Sequence, residues 1–142
     1  MKYDTDYVLC ECDVTPLQDL VAGLEQHHAV TIVKEPSVCL TMIRAEDSLE
    51  KQEFYLGEAL TTECEVSVDG SVGYGVCLGD EPVRGYCLAV VDALLHRGGA
   101  PTQKQEIDAF IETQRRVVAA REVEEFNLIL RTQVDFKLME QE

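Results

Sequence analysis

The sequence predicts an α+β domain, an antiparallel β-sheet covered by helices, closing with a long C-terminal helix and a short apolar tail. Three observations predict it. Residues 60–68 alternate Leu60, Thr62, Cys64, Val66 and Val68 with Thr61, Glu63, Glu65 and Ser67, a period of two that fits a strand with one core face and one wet face. Asp69-Gly70 then supplies the two residues that tolerate positive φ in a tight hairpin. Beyond the return strand, apolar residues change to helical spacing in 82–95 and again in 107–118. At 142 residues the chain makes one domain, long enough to bury roughly 70% of its unfolded surface.

The elements follow in chain order. Tyr7–Cys12 is compatible with a short helix or a strand. Thr15-Pro16-Leu17-Gln18 reads as a helix start, with Thr15 as cap, Pro16 where an N–H would be orphaned, and Gln18 closing a capping box. Leu17, Leu20, Val21 and Leu24 extend that helix to about Gln26. The β-branched runs Val30–Val33 and Val38–Ile43 read as two strands separated by a turn at Glu35-Pro36-Ser37. Arg44–Glu53 reads as an exposed loop before a strand at Glu53–Gly57.

After the hairpin, Val72, Tyr74, Val76 and Leu78 share one face of the return strand, and Gly73 and Gly75 share the other. Bare glycines on a strand face mark the close approach of another backbone. Asp80 is the expected cap of a heavily buried helix running to about His96, with Pro82 in its first turn and Gly98-Gly99 after its end. Ala100-Pro101-Thr102, with Gln105, opens a last helix that reaches about Leu130, roughly 40 Å at 1.5 Å per residue. Such a helix can outrun a domain this small and rest on a partner. The tail Val134–Met139 alternates apolar residues.

Charge narrows the function classes. The formal net charge is −15, with 15 acidic and 4 basic side chains in residues 1–70 against 12 and 8 in residues 71–142. That field repels phosphate backbones and anionic lipid, so neither nucleic acid nor a membrane is an expected partner. No apolar run approaches the ~20 residues that span a bilayer. The opening MKYDTDY does not resemble a secretory signal. A reduced, cytoplasmic setting with six free cysteines is therefore the expectation.

Few residues invite chemistry. Gly73-Tyr74-Gly75 with Gly79 nearly imitates a dinucleotide fingerprint, but the third glycine falls one residue late and a hairpin precedes it where a βα unit is required. Cys10-x-Cys12 and the histidines offer soft metal ligands at no zinc spacing. Cys64, Cys77 and Cys87 read as small core hydrophobes, and His27, His28 and His96 as helix-end or surface residues. Glu58 follows Gly57 at an expected corner between strands, away from the wet face. Asp92 sits in an apolar helix, where an unpaired carboxylate would be costly, so a bond to Arg84, Arg97 or a base of the last helix is expected. An independent small ligand-binding domain or enzyme using Glu58 and Asp92 is the alternative to a scaffold reading, and a metal or redox module on Cys10 and Cys12 is a third.

Leu56-Gly57-Glu58, the strand Thr62-x-Cys64-x-Val66, Gly73-Tyr74, Gly79 and Asp92-Ala93-Leu94 resemble the PhnG family. So does the closing Val134-Asp135-Phe136-x-x-Met139. The motifs stand in the family's order across essentially the whole chain, departing where Tyr7 replaces a common tryptophan and Gly85 a common alanine. PhnG is a subunit of the bacterial carbon–phosphorus lyase system, and the resemblance implies a core complex with PhnH, PhnI and PhnJ. In that system PhnI displaces adenine from MgATP by a phosphonate. With methylphosphonate the product is α-D-ribose 1-methylphosphonate 5-triphosphate, and PhnG, PhnH and PhnL support the step. PhnJ, which uses S-adenosylmethionine and an iron–sulfur cluster, later cleaves the carbon–phosphorus bond. The resemblance carries over no catalytic residue, and no cofactor or metal is expected on this chain. Gly57, Glu58, Gly73, Tyr74, Asp92, Val134, Phe136 and Met139 are the expected interface or structural positions, with PhnI as the expected neighbour of the last helix and tail.

Overall fold

The computed structural model describes residues 3–98 and 100–134, excluding the side chains of residues 97 and 98. It has the predicted class: three antiparallel strands in the order β1-β2-β3 with helices. The elements are α1 (Thr5–Glu11), α2 (Val14–Glu25), β1 (Val30–Glu46), β2 (Glu53–Val68), β3 (Ser71–Leu78), α3 (Pro82–Ala93) and α4 (Pro101–Leu130). A single wide helical turn, Leu94–Gly98, continues α3. No described helix is long and apolar enough to cross a membrane.

Tyr7–Cys12 resolves into helix. Asp4 caps α1 through its side chain, accepting the Tyr7 N–H at 2.9 Å, and Val8 and Leu9 turn into the core. The second helix starts earlier than expected, at Val14, with Asp13 in the cap position and no side-chain cap bond. Thr15 and Pro16 are therefore inside its first turn, where proline's missing donor costs nothing. Leu17, Val21 and Leu24 form the buried stripe.

The strands depart most from expectation. Val30–Glu46 is one strand of 17 residues that runs through Pro36. It is an edge strand, where proline is tolerated, and register shifts at Ile32/Lys34 and Lys34/Ser37 absorb the irregularity. The expected loop at Arg44–Glu53 shrinks to a turn over residues 47–52, held by Asp47 N–H donating to the Gln52 carbonyl at 2.9 Å. Nor is there a corner at Gly57-Glu58. Strand β2 is continuous from Glu53, and the slip of register beside Ile43 lets Gly57 pair with Ile43 and Tyr55 with Arg44. The β2–β3 turn is as predicted, with Asp69 at φ 49° and Gly70 at φ 86°.

Helix α3 lies across β2 and β3, α2 packs beside it, and α1 rests against α4. The contact of α3 with β3 depends on the glycines. A Cβ on Gly73 would stand 2.1 Å from the Ala89 carbonyl oxygen, and one on Gly75 2.0 Å from that of Gly85. Gly85, Ala89 and Ala93 recur every four residues on α3, so small residues on both surfaces let the two backbones meet. The space beside Gly73 is thus filled by α3 of its own chain. Pro82 opens α3, but Glu81 rather than Asp80 holds the cap position. Helix α4 starts after Ala100, whose N–H donates to Gln103 Oε1 at 2.9 Å, in place of the expected Thr102 and Gln105 pair. It reaches Leu130 as expected, about 45 Å.

Strand β3 ends where Leu78 pairs with Thr61. Beyond that point Leu40–Glu46 and Glu53–Leu60 pair only with each other, as a two-stranded ribbon. Leu60 lies on the predicted core face yet is exposed, because no described helix extends over the ribbon.

Candidate functional site

The chemistry-bearing residues gather on two sides of β3. On one side stands Arg84, in the first turn of α3 and buried. Its Nη1 donates to the carbonyls of Leu9 at 3.0 Å and Cys12 at 2.7 Å, and its Nε to Glu81 Oε2 at 3.1 Å. The guanidinium thereby satisfies the orphan carbonyls at the end of α1 and ties α1 to α3. Thr62 works beside it, donating to the Gly79 carbonyl at 2.6 Å and accepting the Glu81 N–H at 3.0 Å. Neither role was visible in the sequence, since both depend on residues more than 15 positions away.

On the other side, Asp92 takes a backbone partner, and the side chain of Arg97, one of its expected partners, lies outside the described residues. Asp92 Oδ2 accepts the backbone N–H of Tyr74 at 2.9 Å, and its Oδ1 lies 3.8 Å from His96 Nε2. Arg84 is spent on α1. Among described residues Asp92 therefore clamps the β3 edge to α3, while the Tyr74 side chain stays half-exposed.

Two cavities flank this edge. One of about 1090 Å³ lies between α1, α4 and the end of β3, and is lined by Tyr7, Cys10, Glu11, Asp13, Val76, Leu78, Glu81, Arg84, Arg121, Glu122 and Glu125 among others. Another, about 440 Å³, includes Asp6, Cys10, Tyr74, Val76, Asp92 and His96. Among the described lining residues, carboxylates outnumber guanidinium groups in both. Arg121 is already engaged by the Glu11 carbonyl at 2.9 Å and by the Glu11 and Asp13 carboxylates. Glu122 takes the hydroxyls of Tyr3 and Tyr7. Such a site attracts cations and repels a nucleotide or a phosphonate.

The thiols lining these walls are quiet. Burial pushes the Cys10 and Cys12 thiols above the ordinary value against the opposing pull of Arg84, so they remain protonated at neutral pH. Burial likewise raises Cys64 and Cys77, and Cys87 is pushed up to about 11. All six cysteines are free, and the described residues contain no group of three or more His, Cys, Asp or Glu placed to hold a metal ion.

Glu58 is remote from all of this. It sits opposite Met42 in the ribbon, exposed, and no described cavity contains both it and Asp92. Gly57 is its exposed neighbour, with open space where a Cβ would lie. Val134 is exposed at the end of the described chain, and Phe136 and Met139 lie outside the described residues. The surface feature that sequence reading missed is the ribbon. Leu40, Met42, Ile43, Phe54, Tyr55, Leu56 and Leu60 are each at least 43% exposed, and Leu56 reaches 67%. Their strand-like runs were legible, but not that β3 and the described helices stop short of them. The far part of α4 has a smaller apolar surface at Val123, Phe126 and Ile129.

Comparison with known proteins agrees with the order of motifs. The chain matches no curated protein. A family model described as "Phosphonate metabolism protein PhnG" matches residues 5–141, nearly the whole chain. The match spans the helices, the long hairpin and α4 together, and on it the chain belongs to the PhnG family of phosphonate metabolism proteins.

Proposed function

We propose that this chain is a non-catalytic, structural subunit of the carbon–phosphorus lyase core complex in the cytoplasm. In this role it supports formation of α-D-ribose 1-methylphosphonate 5-triphosphate from MgATP and methylphosphonate. The observation that carries the reading is the β1–β2 ribbon. An isolated two-stranded ribbon is marginal in water, and exposed apolar patches beyond a few hundred Å² mark interaction sites. Here large apolar side chains occupy both faces of a ribbon whose end no other described element covers.

The electrostatics agree with placing the chemistry elsewhere. Among the described residues Lys34, Arg44, Lys51, Arg84, Arg115, Arg116 and Arg121 pair with carboxylates of the same chain, which weakens their pull on a triphosphate. PhnI is the proposed principal partner, with PhnH and PhnJ in the core and PhnL assisting. MgATP, S-adenosylmethionine and the iron–sulfur cluster belong to those partners in this reading. Co-expression with PhnI should give a complex that survives gel filtration, and Leu40→Lys with Tyr55→Lys should dissolve it while the isolated chain stays folded. A monodisperse chain that ignores PhnI refutes the proposal. Loss of synthase activity in an intact complex carrying Glu58→Ala would instead favour the reading in which Glu58 takes part in chemistry.

A further inference from the structure

We propose that the edge of β3 and the acidic trough beside it form a docking site for an extended segment of a partner chain bearing lysine or arginine at alternate positions. The backbone geometry comes first. Tyr74 N–H points away from β2, since it donates to Asp92, whereas Gly79 N–H donates inward to the Leu60 carbonyl. In a strand these directions alternate. Val76 and Leu78, in phase with Tyr74, therefore turn their N–H and C=O groups outward. Among the described residues no strand lies beyond β3, and nothing bonds those groups of Val76 and Leu78. An open edge of this kind is a template for strand addition.

The trough supplies the selectivity. The two cavities along the edge meet at Cys10 and Val76. Between them their described linings carry seven carboxylates against two guanidiniums, and Arg84 and Arg121 are both engaged within the chain. Asp6 and Glu125 have no cationic partner among the described residues. A second copy of this chain, at −15, would add repulsion. An extended basic segment satisfies both surfaces at once, pairing its backbone with Val76 and Leu78 and sending alternate side chains to α1. The ribbon is a separate surface, and the trough does not depend on what covers it.

The test titrates the full chain with a labelled seven-residue peptide alternating valine and lysine, capped at both ends, and reads fluorescence anisotropy at about 0.15 M salt. Binding should saturate, and the glutamate counterpart should not bind. Peptides N-methylated at every second amide, made in both phases, keep the charge but lose one set of donors. One phase should bind at least ~10-fold more weakly, the equivalent of roughly 1.4 kcal/mol. Val76→Pro should do the same, because the lost N–H faces outward and pairing with β2 is kept. Glu11→Gln with Asp13→Asn should weaken binding without touching the backbone. The proposal is overturned if both methylated phases bind as tightly as the parent, or if both variants bind unchanged. No other subunit enters the assay, so its failure leaves the PhnI experiment standing, and the reverse.

Discussion

Replacing Gly75 by alanine adds one methyl group at the tightest point of the fold. That Cβ would lie 2.0 Å from the Gly85 carbonyl oxygen, 2.7 Å from the Ala89 nitrogen and 3.1 Å from the Gly85 carbonyl carbon. All three are backbone atoms, so no side chain can rotate away. Unstrained non-bonded separations are near 3.5 Å, so α3 must retreat from β3 by more than about 1 Å. A retreat of that size forfeits a quarter to a half of each contact it opens, and α3 carries Val90, Val91 and Ala93, all buried to within 1%. Overpacking ordinarily costs about 1–3 kcal/mol; with backbone on every side, about 3 kcal/mol or more is expected. Equilibrium urea unfolding followed by far-UV circular dichroism reads this as a midpoint lower by roughly 1–3 M, given slopes of about 1–3 kcal/mol/M. Gly23→Ala is the control, since nothing lies within 4 Å of its Cβ position inside α2, and it should stabilise by about 0.5–1 kcal/mol. A Gly75→Ala midpoint indistinguishable from the parent would refute the argument that backbone contact sets the helix–sheet distance.

Other outcomes follow from the same geometry. Arg84→Met leaves the Leu9 and Cys12 carbonyls without their donor and should cost about 2–4 kcal/mol in the same urea experiment; a loss below about 1 kcal/mol would mean water replaces the guanidinium. Asp92→Ala should destabilise by about 1–2 kcal/mol, and Asp92→Asn, which keeps an acceptor for Tyr74 N–H, by less. Equal losses would point to the charge rather than the bond. The hydrogen bond with His28, followed by that from the Ala29 N–H, holds the Asp69 carboxyl below its ordinary range. Its stabilising contribution is therefore complete above the unfolded value near 3.9 and lost as pH falls through the lower folded value. Asp69→Asn should flatten the stability profile below about pH 4, and an unchanged acid limb counts against it. Truncation before Val134 should weaken association with PhnI more than it lowers the melting temperature; equal affinity of the two chains rejects a docking role for the tail.

What the sequence made legible were features written in adjacent residues. Asp69-Gly70 named its turn because positive φ is a local demand, and Gly73 and Gly75 announced a close backbone because bare glycines on a strand face leave room for one. The span of α4 was readable from its periodicity. What failed were boundaries decided by distant partners. Pro36 looked like a turn because its neighbours gave no sign that β1 is an edge, where the missing donor is harmless. Glu58 looked like a corner because Gly57 precedes it, whereas pairing with Ile43 and Met42 carries the strand straight through. Asp92 plainly needed a partner, but periodicity cannot show that the partner is a backbone N–H on β3. Arg84, His28 and Thr62 carried no local signal at all, since each acts on atoms brought near only by the tertiary fold.

In the proposed reading, the two exposed surfaces divide the work of recognition along physical lines. Apolar area on the ribbon provides affinity without direction, because burial is rewarded wherever water is excluded. Acidic charge beside β3 gives little net affinity once desolvation is counted, but it steers encounter and rejects wrong partners. Together they predict that the exposed apolar ribbon does not self-assemble at low salt. At −15, two copies approaching ribbon to ribbon meet repulsion before contact, so the apolar surface is screened from its own kind yet open to a cationic neighbour. Raising the salt should weaken that screen. If charge is the guard, the isolated chain stays monomeric at low ionic strength and associates through the ribbon as salt rises, and Leu40→Lys with Tyr55→Lys abolishes the association at every salt concentration. Association strongest at low salt would mean that the guard is geometric, with the ribbon's twist rather than its field keeping copies apart.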